Sequence, residues 1–66
     1  MNKNLFRAKM ITNNDSVEEL AKALDVTKVT LYSRLNGTSQ FSCKDVGVIK
    51  KRYNLTAEEL DTIFFE

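Results

Sequence analysis

The side chains available for chemistry are few. The sequence has no His and a single cysteine, Cys43, so a Cys/His metal cluster, a histidine general base and an internal disulfide cannot be assembled from its residues. What remains is a set of groups suited to recognition, gathered in "DVTKVTLYSRLNGTSQ", residues 25–40. Thr27, Ser33, Asn36, Thr38, Ser39 and Gln40 offer short hydrogen-bonding groups, and Lys28 and Arg34 offer positive charge. A binding protein is expected, not an enzyme, and no cofactor, metal ion or small-molecule substrate.

Helical spacing sorts these residues by face. Turning each residue by ~100° puts Leu31 and Leu35 on one side of a helix, Val29, Ser33 and Asn36 opposite them, and Thr30 and Tyr32 on the flanks. The outer face is small, uncharged and partly apolar. A helix face turned to water usually carries Glu and Lys. A face that enters the major groove of DNA needs short polar groups for base edges and an apolar group for the thymine methyl. Val29 suits that last role; the plain alternative is a stray surface valine, or one covered by a partner chain.

The elements that must hold this face are all helical. There is no Pro, there are two Gly, and no alternating apolar pattern is long enough to argue for a sheet. Leu5, Phe6 and Met10 mark a first helix of roughly residues 2–13, and Leu20, Ala21 and Leu24 a second. Leu31 and Leu35 mark a third, Val46, Ile49 and Tyr53 a fourth, and Leu60, Ile63 and Phe64 a fifth. Residues 1–66 read as one domain with a thin core, since a chain of this size buries only ~60% of its unfolded surface.

Helix starts are legible from capping boxes, in which a Ser or Thr accepts from the N–H three residues on and an acid there reaches back. Ser16 with Glu19, Ser42 with Asp45 and Thr56 with Glu59 fit, the last two with apolar staples Phe41–Val46 and Leu55–Leu60. The third helix has Thr27 as its cap and a Val26–Leu31 staple, but Lys28 and Thr30 stand where acids would. An acid in the first turn complements the helix dipole, yet it would repel a phosphate backbone. Charge is also segregated: residues 1–14 carry +3, 15–25 carry −3, 26–54 carry +5 and 55–66 carry −4. The overall charge is only +1, and the plain alternative is solvated faces of mixed charge, since blocks in a sequence need not coincide in space.

The segment "EELAKALDVTKVTLYSRLNG" resembles the helix-turn-helix of the lambdoid repressor and Cro proteins, the XRE family, through Ala21, the turn at Asp25, Val26, Leu31, Leu35, Asn36 and Gly37. "FSCKDVGVIKKRYNLTAEELDTIFF" resembles the last two helices of small phage-type members, so nearly the whole chain is covered. The resemblance implies an all-α, compact five-helix lambda-repressor-like DNA-binding domain with its helix-turn-helix at about residues 16–36. It implies a Cro-like, sequence-specific transcriptional regulator, a repressor of phage or prophage type, whose partner is a double-stranded DNA operator.

By resemblance, base contacts would come from Thr27, Lys28, Val29, Tyr32 and Ser33, in agreement with the face derived above. Phosphate contacts would come from the start of helix two (Ser16, Val17), from Asn36, and from Thr38, Ser39 and Gln40, with Arg7 and Lys44 added. Arg34 could join them or pair with an acid of helix two or five. Val17 stands where the family commonly has Gln, and Asp25 where it has a turn Gly.

A weak homodimer through Phe65 is expected, because Ile63 and Phe64 suffice for the core and a two-fold pair can read a palindrome. The competing class is a protein-interaction module on the same fold, with Val17, Val29, Tyr32 and Phe65 docking another regulator. The first residues lack the apolar run of a secretory signal, which predicts a cytoplasmic, nucleoid-associated protein of a bacterium without membrane attachment. Cys43 reads as a small, partly buried residue, Gly47 as a close approach of two backbones or a tolerated flaw, and "KKRY" as a solvated face with Tyr53 inward.

Overall fold

A computed structural model describes residues 1–65. Its order is α1 (Lys3–Thr12), α2 (Val17–Leu24), α3 (Lys28–Leu35), α4 (Cys43–Tyr53) and α5 (Ala57–Phe64), with no strand among the described residues. Each helix sends one side chain to the centre. Phe6, Leu20, Leu31, Ile49 and Ile63, one from each of α1 to α5, are at most 1% exposed. This is how five short amphipathic rods, none stable alone, make a common core. Rings extend that core to one side: Phe6 stacks on Phe41 at 5.7 Å and meets Tyr53 and Phe64 edge-on at 6.1 and 6.0 Å.

The caps set where each rod begins. Ser16, Thr27, Ser42 and Thr56 each accept the N–H three residues on, and the Ser42–Asp45 and Thr56–Glu59 boxes close in both directions. The Ser16–Glu19 box does not close. The Ser16 N–H is donated to Asp15 Oδ1 at 3.0 Å, so the group that Glu19 would bind is already taken. Asn2 caps α1 by accepting the Leu5 N–H, and its own N–H reaches the Ile63 carbonyl at 2.8 Å, tying α1 to α5.

Chain reversals fall where positive φ is tolerated. Asp25 ends α2 in the left-handed region (φ 56°) and Asn54 ends α4 likewise (φ 51°), residue types that adopt it more readily than others. Gly37, at φ 83°, follows α3. Between α2 and α3 lie only Asp25, Val26 and Thr27, and Ala21, 3% exposed, keeps those two helices close.

In α4 one expectation is corrected and one pair of alternatives is decided. Cys43 is exposed, because the first residue of α4 points away from the core. Gly47 is not a close backbone approach: a Cβ built there meets nothing within 4 Å, so it is a tolerated weak point in the helix.

Candidate functional site

Thr27 through Ser33 present the face that the sequence singles out, and their hydrogen bonds divide it in two. Thr27 Oγ1 accepts the Thr30 N–H at 3.1 Å and donates to Thr30 Oγ1 at 3.0 Å. Ser33 is half-buried under the loop that follows α3: its Oγ accepts from Ser39 Oγ at 3.2 Å, and its carbonyl accepts the N–H groups of Thr38 and Ser39. Val29, by contrast, is 79% exposed and Tyr32 51%. They are the most open apolar side chains on α3.

The first turn of α3 carries one cation, Lys28, while Asp25 precedes its cap. No acid lies in its first turn, although α1 shares that absence, so it is the combination with Val29 that sets α3 apart. Lys28 Nζ lies 3.7 Å from Glu18 Oε1, with both side chains more than half exposed. Such an exposed, long pair contributes little and opens readily.

Two flanks border the face. On one side Arg7, Ile11, Val17, Tyr32, Leu35 and Asn36 line a shallow, largely apolar groove between α1, the start of α2 and the end of α3. On the other side the loop of Thr38, Ser39 and Gln40 is exposed, with Lys44 exposed just beyond it on α4. Arg7 and Lys44 have no carboxylate partner among the described residues.

Arg34 does not join this set. Its Nη1 donates to Asp45 Oδ2 at 2.6 Å, so its partner belongs to α4 and not to helix two or five. The reason is local: Asp45 already faces α3 because its Oδ2 accepts the Ser42 N–H in the capping box, and Arg34 lies opposite.

The start of α2 is strongly anionic. Asp15 precedes Glu18 and Glu19, and the Ser16 N–H and Oγ are both used inside the chain, by Asp15 and by the Glu19 N–H. The Asp15 carboxyl is held down at about 2, chiefly by its hydrogen bond to the Arg52 guanidinium, with Tyr53 and the Ser16 N–H assisting against partial burial. Arg52 thereby offsets one of the three charges. Burial and the same carboxylate push the Tyr53 hydroxyl well above its ordinary range.

Sequence reasoning missed this cluster. It read "KKRY" as a solvated face, whereas Arg52 reaches back to Asp15 across 37 positions; Tyr53 is buried, as expected. No local pattern signals a partner so distant. It also missed Ile11, 78% exposed and one turn from Arg7, which an apolar residue on the polar side of α1 could have revealed. Phe65 is 72% exposed and borders a second hollow with Met1, Phe41 and Phe64.

Among the described residues no group of His, Cys, Asp and Glu could hold a metal ion, and no helix is long and apolar enough to cross a membrane. No protein-family model, curated protein or solved structure matches the chain.

Proposed function

We propose that this chain is a sequence-specific double-stranded DNA-binding protein of the Cro-like helix-turn-helix type, in which α2 and α3 form the motif and α3 enters the major groove. The observation that carries the proposal is Val29, 79% exposed on a helix whose first turn holds no acid. A thin-cored domain gains nothing in stability from a valine turned to water, whereas a thymine methyl in the groove gives it a partner. Lys28 and Tyr32 lie beside it, and the exposed Asn36, loop 38–40, Arg7 and Lys44 would supply the phosphate contacts of this reading. By occupying an operator the protein would exclude polymerase and act as a repressor in the bacterial cytoplasm.

Two copies joined near Phe65 would present two such helices to a palindrome, with half-sites ~34 Å apart. The second reading, a module that docks another protein, draws on the carboxylates at the start of α2 and the apolar groove lined by Ile11, Val17 and Tyr32. A mobility-shift titration on duplex DNA over a salt series separates the two. Groove binding predicts a shift that weakens steeply with salt and is reduced by Lys28→Ala; absence of any shift at the lowest salt favours the docking module.

A further inference from the structure

Five residues of the α3 face were candidates for reading bases, and their internal bonds leave them unequal. The hydroxyl of Thr27 is committed in both directions, accepting the Thr30 N–H and donating to Thr30 Oγ1. The Ser33 hydroxyl is held by Ser39 and partly covered by the loop. For Thr27 to donate to a base edge an existing bond must first break, which cancels much of the gain, and Ser33, which keeps its own proton, is half-buried under the loop. Lys28 keeps donors, but it accepts guanine and phosphate alike. The most open uncommitted surface on this face is apolar, the two methyls of Val29 and the ring of Tyr32, with the Tyr32 hydroxyl as its polar edge.

Resting on the DNA-binding reading above, we infer that this chain selects its site mainly by contact of Val29 and Tyr32 with thymine 5-methyl groups, and only secondarily by hydrogen bonds to base edges. Val29 is β-branched and holds essentially one rotamer in a helix, so it loses little freedom on docking. The Val29 and Tyr32 side chains leave α3 ~5–6 Å apart, as any i, i+3 pair does. Base pairs rise ~3.4 Å per step, so the two side chains meet methyls one or two steps apart. The preferred half-site therefore contains two thymines at that spacing, on one strand or on opposite strands.

The test begins by selecting duplexes from a random-sequence library with the purified full chain, then replaces single thymines of the selected site by deoxyuridine, which removes only the methyl. At one or two positions the affinity should fall about three- to fivefold per methyl. In Val29→Ala or Tyr32→Ala the same replacement should cost nothing further at the matching position, because the contact is already gone. Both residues are exposed, so the variants fold, as a thermal melt would verify. Placing 5-methylcytosine at the matching position should restore part of the loss. A selected site indifferent to deoxyuridine, or one whose loss is the same in wild type and both variants, overturns the inference and leaves DNA binding intact. Failure to enrich any duplex overturns the DNA-binding reading itself.

Discussion

The guanidinium of Arg52 holds the carboxylate of Asp15 through two hydrogen bonds, Nη2 to Oδ1 at 2.7 Å and Nε to Oδ2 at 2.8 Å, while the Tyr53 hydroxyl donates to Oδ2 at 2.5 Å. Through this contact the end of α4 positions the turn that leads into α2, and with it one wall of the groove beside Tyr32. The side chain of Asp15 is 5% exposed, so little water competes for the pair.

Acid should therefore weaken the fold in a defined window. Asp15 is ordinarily half-protonated near 3.8 and is lowered to about 2 in the folded chain. A lowered carboxyl adds stability that is complete above the unfolded value and disappears as pH falls through the folded one. The contribution, about 2 kcal/mol, is thus present above about pH 4 and lost between about pH 4 and 2. Urea unfolding across that range should show the loss, and Arg52→Met should flatten this part of the profile. A variant with the wild-type slope would show that the clasp contributes nothing.

Arg34→Ala should cost about 2 to 3 kcal/mol, because it leaves the buried Asp45 carboxylate facing α3 without its cation. Chemical denaturation measures it. An Arg34→Ala chain of unchanged stability would show that the Arg34–Asp45 pair contributes nothing to the fold.

Gly47→Ala should stabilise the protein by about 0.5 to 1 kcal/mol. The residue sits inside α4 with ordinary helical backbone and open space around it, so only the helix propensity changes. A lower melting temperature than wild type would contradict this.

Phe65→Ser should abolish self-association while leaving the monomer folded, since the ring is exposed and Phe64 and Ile63 already complete the packing. Sedimentation at micromolar concentration, free and on an operator, reads this out. A wild-type chain that is monomeric in both conditions would rule out the Phe65 dimer.

How much of this was legible in the sequence follows from how far apart the interacting residues are. The apolar positions at helical spacing, Leu20, Ala21, Leu24, Leu31, Ile49 and Ile63, all reach the core, and the caps at Thr27, Ser42 and Thr56 form as their spacing implies. Those are contacts within one turn or one face. The exposure of Val29 was readable for the same reason, as a residue opposite Leu31 and Leu35. Asp15 with Arg52 and Arg34 with Asp45 were not, because each pairing depends on how two helices dock, and several carboxylates were equally plausible partners. The open Ser16 box belongs with these: its N–H goes to Asp15, which the distant Arg52 and Tyr53 hold in place.

Contact between the outer side of α3 and DNA can be read from fluorescence anisotropy of a labelled duplex, titrated with wild type and Val29→Glu over a salt series. Wild type should bind with an affinity that falls by a log–log slope of about −0.9 per phosphate contacted. Val29→Glu should melt within about 0.5 kcal/mol of wild type, as an exposed substitution does, and bind at least tenfold more weakly. Equal binding by the folded glutamate variant, or no binding by wild type at the lowest salt, would show that α3 does not meet DNA through this side.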